Sequence, residues 1–141
     1  MIEKKHVSLK EKIIEEMTVD YSDALDRNFN LAKNYIKITK NGKIEVLYKQ
    51  ELTGAEQILL YLIGKVYAKE AELASTHEVD TQELMEELGI IKGSFYPSIK
   101  RLRDKKKIIQ VKKGKLVYFS VPSNHIEKIL NKIASKLKNK K

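Results

Sequence analysis

The chain has 141 residues, of which 42% are hydrophobic and 33% charged, with no cysteine and a formal net charge of +9. This length and composition allow one buried core with extensions, and the absence of cysteine excludes disulfide bonds, thiolate catalysis and cysteine-ligated metal centres. The first ten residues lack the apolar run of a signal peptide, and the longest uncharged apolar run, 57–64, is too short to cross a bilayer. We therefore expect a cytoplasmic protein without membrane contact.

Residues 1–52 predict an N-terminal helical extension with one short strand or hairpin. Ser8 and Glu11 have the spacing of a capping box, which indicates a first helix with three apolar residues on one side (Ile13, Ile14 and Met17). A second helix is predicted to start near Ser22 or Asp23, because four apolar residues follow at helical spacing (Leu25, Phe29, Ala32 and Ile36).

Residues 35–48 allow two interpretations. Asn41-Gly42 is a strong signal for a two-residue hairpin turn, but pairing across that turn places Ile38 opposite Glu45 and Lys37 opposite Val46. Since this pairing mixes apolar and charged side chains, the same two residues alternatively end a helix, and only residues 44–48 are then extended.

Residues 53–121 are predicted to form one domain that begins with the longest helix of the chain. Thr53 and Glu56 form a capping box for a helix over about 54–74. Its buried stripe consists of four residues at helical spacing (Ile58, Leu59, Leu62 and Val66). A loop over 75–78 follows.

Two short helices joined by a tight turn come next. Asp80 and Glu83 have the spacing of a capping box, with Val79 and Leu84 as a hydrophobic staple, and Gly89 ends the first helix. The second helix is predicted to begin near Gly93 or Ser94. Its buried face consists of residues at steps of four and three (Phe95, Ile99 and Leu102).

The chain's positive charge concentrates on the outward face of this second helix and on the element that follows it. The outward face carries Pro97, Lys100, Arg101 and Asp104, and residues 109–121 predict a β-hairpin whose tip has three lysines and one glycine. Residues 1–91 hold 12 basic and 17 acidic side chains, whereas residues 92–141 hold 16 and 2. Such a concentration is typical of a nucleic-acid-binding surface, with a merely solvated lysine-rich face as the alternative.

Residues 79–121 resemble a winged helix-turn-helix domain, in which the second helix is the recognition helix and the hairpin is the wing. The string G-S-F-Y-P-S-I-K-R-L at 93–102 is similar to G-T-L-Y-P-x-L-x-R-L of the PadR family of transcriptional repressors. Lys106 stands where that family usually has a glycine. The resemblance implies a mainly α fold with a small β-hairpin wing, and a DNA-binding transcriptional regulator rather than an enzyme.

We therefore predict that the partner is double-stranded DNA. Lys100 and Arg101 are predicted to reach bases or phosphates, and Lys92 and Ser94 to hold phosphates. The wing lysines are predicted to lie on the adjacent backbone or minor groove (Lys112, Lys113 and Lys115). The alternative is a winged-helix protein-interaction subunit of a larger nucleic-acid-processing assembly for replication, repair or RNA.

Residues 122–141 predict a C-terminal helix and a basic tail. Pro122 and Ser123 start the helix, and four residues form a narrow heptad-like seam (Ile126, Leu130, Ile133 and Leu137). This seam either packs on the domain's own first helix or forms a homodimer interface. Since PadR-like proteins pair through a C-terminal helix, the resemblance favours the homodimer.

No residue pattern indicates catalysis, a cofactor or a metal. The three histidines stand in unrelated elements without ligands at metal-site spacing (His6, His77 and His125), and phosphate-binding glycine strings are absent. Tyr96 is interpreted as a partly buried neighbour of Phe95 rather than a nucleophile. The sequence leaves open a small-molecule effector pocket among Tyr61, Tyr67 and the N-terminal helices, but it identifies no ligand.

Overall fold

The structure, a computed structural model, describes residues 8–17 and 23–138. Seven α-helices are present in this part of the chain: α1 (Leu9–Glu16), α2 (Ala24–Arg27), α3 (Phe29–Ala32), α4 (Gly54–Glu70), α5 (Thr81–Leu88), α6 (Lys92–Asp104) and α7 (Ile126–Lys138). Five strands accompany them: β1 (Ile36–Ile38), β2 (Ile44–Val46), β3 (Val79–Asp80), β4 (Ile109–Lys113) and β5 (Leu116–Ser120). Short 3-10 turns occupy Lys49–Glu51 and Ser123–His125.

The elements α4, β3, α5, α6, β4 and β5 follow one another in the order of a winged helix-turn-helix domain, which confirms the predicted fold class. Their three strands form an antiparallel sheet in the order β3-β5-β4, with Val79 opposite Phe119 and Ile109 opposite Ser120. Strand β3 was not predicted, because a strand of two residues is too short to show an alternating pattern.

Helix α4 is the centre of the core. The predicted capping box is present, since Glu56 N donates to Thr53 Oγ1 at 3.2 Å and Thr53 N donates to Glu56 Oε1 at 2.9 Å. The predicted single stripe is too narrow, because Leu60, Tyr61 and Ile63 are as buried as Ile58. The β1–β2 hairpin, the winged elements and α7 all pack on α4, so it needs apolar side chains on several faces.

Helix α4 ends at Glu70, four residues earlier than predicted. Glu72 adopts a left-handed conformation with φ 61°, and the N–H of Leu73 donates to the carbonyl of Ala68 at 2.8 Å. These two features are those of a Schellman ending, which satisfies the last carbonyls of the helix. Because the left-handed position is occupied by Glu72 rather than by a glycine, the sequence does not indicate where α4 ends.

Residues 36–46 form a hairpin, the first of the two interpretations. Its register pairs Ile36 with Val46 and Ile38 with Ile44, because the loop has three residues, 40–42, rather than two. Gly42 takes φ 87° at the last loop position, as three-residue hairpin loops require. The longer loop shifts every pair by one residue and thereby places apolar residues opposite each other.

The hairpin lies directly on α4 at Gly64. A Cβ atom at Gly64 would come within 2.6 Å of Cγ2 of Ile44 and within 3.1 Å of Cγ2 of Ile36. Gly64 therefore permits a helix-to-strand approach that no larger residue allows without displacement of these side chains.

The N-terminal helices differ in part from the prediction. Ser8 and Glu11 cap α1 as expected, although its apolar residues are exposed, with Ile13 at 39% and Met17 at 76%. The predicted second helix is divided in two at Asn28, whose side-chain amide donates to the carbonyl of Ala24 at 2.8 Å. Ile36 belongs to β1 instead of this helix. Ser22, a predicted starting point, lies outside the described residues, as do residues 1–7 and the tail residues 139–141.

Helix α7 buries its apolar seam within the same chain. Ile126 and Leu130 are 0% exposed and Ile133 is 2% exposed, while Leu137 is half-buried, and the helix packs on α2, α3 and α4. The structure thus has the self-packing arrangement. A homodimer through these four residues stays a prediction, and in the present conformation the first three are inaccessible to a second copy. No helix within the described ranges is long and apolar enough to span a membrane.

Candidate nucleic-acid interface

Helix α5 is fixed to α4 by a partly buried polar contact. Asp80 caps α5 by accepting from the N–H of Glu83 at 2.8 Å, as predicted. The reciprocal half of the capping box is not formed, because the Glu83 carboxylate instead accepts from the Tyr61 hydroxyl at 2.6 Å and pairs with Lys65 at 3.3 Å. Burial and this hydrogen bond raise the pKa of Tyr61. The contact positions the helix-turn-helix against the core.

The turn between α5 and α6 places the N-terminus of α6 at the surface. Gly89 has φ 67° and ends α5 as predicted. Helix α6 begins at Lys92, one or two residues earlier than predicted, after Ile91 as N-cap without a side-chain hydrogen bond. Lys92 and Gly93 are exposed, and a Cβ at Gly93 would have no atom within 4 Å. The first N–H groups of α6 are therefore open to an approaching anion such as a phosphate.

The inward face of α6 is as predicted, with one addition. Phe95, Ile99 and Leu102 are at most 4% exposed, and Ser98 is buried as well. Pro97 is the sixth residue of α6, beyond its first turn, so its missing N–H leaves one helical carbonyl without a donor. The helix nevertheless continues to Asp104.

The outward face of α6 carries fewer free charges than the sequence suggested. Lys100 is exposed, but its ammonium group pairs with Asp104 at 3.0 Å. Arg101 lies on the flank towards α4 and α7, where its guanidinium donates to Ser98 Oγ at 3.4 Å. Arg103 lies on the opposite flank and donates to Gln110 Oε1 of the wing at 2.9 Å. Of the predicted residues on α6, Lys92 and Ser94 are exposed at its beginning.

The wing is a tight hairpin with its lysines at the tip. Lys113 pairs with Leu116, so Gly114 and Lys115 form a two-residue turn, and Gly114 supplies the positive φ of 63° that its first position needs. Lys112 and Lys115 are exposed without an ionic partner in the described part of the chain. Lys113 is engaged, because its ammonium group contacts the Glu78 carboxylate and lies 5.5 Å from the centre of the Tyr118 ring.

Three further residues belong to this surface although the sequence analysis assigned them no contact. Tyr96, in the N-terminal half of α6, is 47% exposed, which is more than predicted. Its ring meets the Phe95 ring edge-on, with 5.2 Å between the ring centres. Lys105 and Lys106 extend the exposed basic surface past the end of α6. The run of three lysines at 105–107 is the sequence feature that indicates Lys105 and Lys106 as part of this surface.

Helix α6 ends in a Schellman motif centred on Lys106. Lys106 has φ 58°, its N–H donates to the carbonyl of Arg103 at 2.9 Å, and Lys107 N–H donates to the carbonyl of Leu102 at 2.9 Å. A left-handed residue at this position is usually glycine. Lys106, which stands where the PadR family usually has a glycine, therefore adopts a backbone conformation that glycine favours.

The described residues contain no group of three or more histidine, cysteine, aspartate or glutamate side chains arranged for a metal ion. Tyr67 lines a cavity of about 190 Å³ together with residues of α3 and β1 (Phe29, Ala32, Ile36 and Ile38), and Tyr61 is not part of its lining. The Tyr61 hydroxyl is bound to Glu83, whereas the Tyr67 hydroxyl donates to the carbonyl of Leu25 at 2.6 Å, and burial and Asp26 raise the pKa of Tyr67 to about 12.

No protein-family model and no curated protein match the sequence. Among solved structures, the crystal structure of NadR in complex with 4-hydroxyphenylacetate is similar to 99% of this chain and 80% of that chain, at 14% sequence identity and a TM-score of 0.40.

Proposed function

We propose that this chain binds double-stranded DNA and regulates transcription, with α6 in the major groove and the wing on the flanking backbone. The observation that supports this most directly is the position of the positive charge. Residues 92–115 hold ten basic side chains against one acidic side chain, Asp104, and that carboxylate is neutralised by Lys100 at 3.0 Å. The other nine cations include exposed lysines that have no ionic partner within the described ranges (Lys92, Lys106, Lys112 and Lys115).

The unpaired groups suggest a division of roles. The N-terminus of α6, with Lys92 and Ser94, would hold a phosphate, and Lys112 and Lys115 would hold phosphates beside the wing. Lys100 and Arg101 would reach bases or phosphates once the Lys100–Asp104 pair opens or the Arg101 side chain turns away from Ser98. Lysine offers a point charge without the guanidinium fork that reads guanine, so affinity would exceed sequence discrimination.

The PadR resemblance is part of this proposal. It depends on the string F-Y-P-S-I-K-R-L at 95–102, and the left-handed conformation of Lys106 supports it, because the backbone at that position suits the family's glycine. A PadR-like homodimer through Ile126, Leu130 and Ile133 would require two copies to exchange α7, since these side chains are buried within one chain. Light scattering of the intact chain over a range of concentrations tests this pairing.

Recovery of genomic DNA with the intact protein tests the function. A regulator gives a limited set of discrete promoter sites, which is the result we expect. Scattered recovery across the genome would instead indicate a nonspecific nucleic-acid binder. Recovery no greater than from a control without the protein would contradict DNA binding and favour the protein-interaction subunit.

A further inference from the structure

The cavity of about 190 Å³ at Tyr67 lies between α3, β1 and the C-terminal half of α4. Its apolar walls come mainly from α3 and β1 (Phe29, Ala32, Ile36 and Ile38). Phe29 is 51% exposed, so one wall is an aromatic ring that is half open to solvent. Because a cavity of about 150 Å³ holds a benzene molecule, this one has room for one leucine or phenylalanine side chain.

Strand β1, which borders the cavity, has an open edge. The N–H of Thr39 donates to the carbonyl of Lys43 at 2.9 Å, which fixes the alternation of backbone groups along the hairpin. Ile36 and Ile38 therefore direct their N–H and C=O groups away from β2. These four groups form no hydrogen bond within the described ranges. Since β1 lines the cavity and β2 does not, the cavity lies on the open side of β1.

The two charged side chains that line the cavity are both cationic. Lys33 and Lys37 are exposed, and Lys33 Nζ lies 5.4 Å from the centre of the Phe29 ring. Neither ammonium group has a carboxylate within 4.0 Å in the described part of the chain, although Lys37 lies opposite Glu45 in the β1–β2 register. Both charges are therefore available to an acidic partner.

The alternation of side chains along β1 specifies the sequence of such a partner. Ile36 packs towards Gly64 of α4, and Ile38 shares its face of the strand, whereas Lys37 points to the opposite face. A strand added to the open edge would continue both faces, with apolar residues beside the isoleucines and carboxylates beside Lys37. An extended segment of alternating apolar and acidic residues has this pattern, and one of its apolar side chains would fill the cavity.

The lysines also decide against two other occupants of this edge. Pairing of β1 with β1 of a second copy would bring two sets of Lys33 and Lys37 together, and like charges across a strand pair are destabilising. A DNA phosphate would meet the lysines, but it would gain nothing from the apolar cavity and it offers no N–H to the open carbonyls of β1.

We propose that the open edge of β1 and the adjacent cavity form a docking site for an extended acidic segment of another protein. The segment adds a strand to the β1–β2 sheet and inserts one apolar side chain beside Phe29. This site is separate from α6 and the wing, so it goes beyond DNA binding. It is tested on the full chain without DNA, so its failure and a failure of the proposed function are separate results.

A nuclear magnetic resonance titration that follows the Ile38 amide and the methyl groups of Ile36 and Ile38 tests the site. The probe is a capped hexapeptide in which glutamate and leucine alternate. We expect saturable shifts with a Kd of about 0.1–1 mM, and slower hydrogen exchange of the Ile38 amide in the complex. A peptide with alanine for leucine, and one with lysine for glutamate, should each bind at least about 10-fold more weakly.

Charge reversal at Lys37 has a matched control on α7. Lys37→Glu should weaken binding of the glutamate peptide at least about 10-fold and should allow the lysine peptide to bind. Lys128→Glu changes the net charge equally at an exposed position outside the cavity and should leave both affinities unchanged. Phe29→Ala removes an exposed wall of the cavity and should weaken the glutamate peptide about 5-fold.

Several outcomes would overturn the proposal. These are the absence of saturable shifts, equal binding of the alanine or lysine peptide, and equal effects of Lys37→Glu and Lys128→Glu. Shifts at Ile36 and Ile38 that depend on protein concentration alone would show that a second copy covers the edge. Shifts there on addition of a DNA duplex, with none on addition of the glutamate peptide, would show that the lysines bind phosphate instead.

Discussion

The ammonium group of Lys113 at the wing tip is bound to the carboxylate of Glu78, which lies 35 residues earlier in the loop before β3. The Glu78 side chain is 21% exposed, so the pair is partly shielded from solvent. A wing lysine that is already neutralised releases fewer DNA counterions than an unpaired one. The three wing lysines are therefore not equivalent.

Removal of the Glu78 charge should strengthen DNA binding. In Glu78→Gln, Lys113 becomes free to meet a phosphate, and the slope of log K against log salt should steepen by about 0.9. Fluorescence anisotropy with one labelled duplex across a salt series measures both quantities. An unchanged or shallower slope would indicate that Lys113 does not contact a DNA phosphate.

Lys115→Ala and Lys113→Ala provide the comparison within the wing. Lys115 has no ionic partner in the described ranges, so Lys115→Ala should reduce the salt slope by about 0.9, whereas Lys113→Ala should change it clearly less. If the two substitutions reduce the slope equally, the Glu78 pair does not persist in the presence of DNA.

The two arginines of α6 should differ in their effect on sequence preference. Arg101→Ala should cost about 1–3 kcal/mol on a preferred site and much less on random duplex, because base contacts depend on sequence. Arg103 is bound to Gln110 on the wing side, so Arg103→Ala should affect both duplexes little and alike. Competition between a preferred and a random duplex measures the contrast. Equal losses on both duplexes for Arg101→Ala would mean that Arg101 does not read sequence.

Lys106→Gly should stabilise the fold. Lys106 has φ 58°, a conformation that costs an L-residue about 1–2 kcal/mol and costs glycine almost nothing, although glycine loses more backbone entropy on folding. The net gain should be about 0.5–1 kcal/mol in urea unfolding. Lys105 has φ −88°, so Lys105→Gly should bring no such gain. A loss of stability in Lys106→Gly would contradict the Schellman ending of α6.

Gly64→Ala should destabilise the chain at the contact between α4 and the first hairpin. The added Cβ would meet the branched side chain of Ile44 at 2.6 Å, and overpacking costs about 1–3 kcal/mol, more than the helix-propensity gain of about 1 kcal/mol. Gly93→Ala is the matched control, because the same change in α6 meets no atom within 4 Å and should be neutral or stabilising. Equal effects of the two substitutions would contradict the close packing at Gly64.

The features that the sequence predicted correctly depend on residues close together in the chain. The caps at Ser8, Thr53 and Asp80 involve a residue and its neighbour three positions on, and the buried face of α6 follows from helical spacing. The predicted β1–β2 register was wrong by one residue. It assumed a two-residue loop at Asn41-Gly42, and the sequence does not show that the loop has three residues.

The features that were missed depend on distant contacts. Nothing local shows that Glu78 binds Lys113 or that Glu83 binds Tyr61 instead of completing its cap. The charges of the candidate interface were thus predictable, but the long-range pair that engages Lys113 was not. Pairing decides which cations remain available to DNA.

The most direct test of the account compares two variants that lose the same number of charges. One replaces three exposed lysines of the proposed interface with glutamine (Lys92, Lys112 and Lys115), and the other replaces three exposed lysines elsewhere (Lys37, Lys40 and Lys128). The intact chain should bind duplex with a log–log salt slope of about −4 to −7, as expected for roughly five to eight phosphates. The first variant should lose about 2–3 units of that slope while the second keeps it. Equal losses in both variants, or no binding by the intact chain at low salt, would contradict a DNA-binding surface on α6 and the wing.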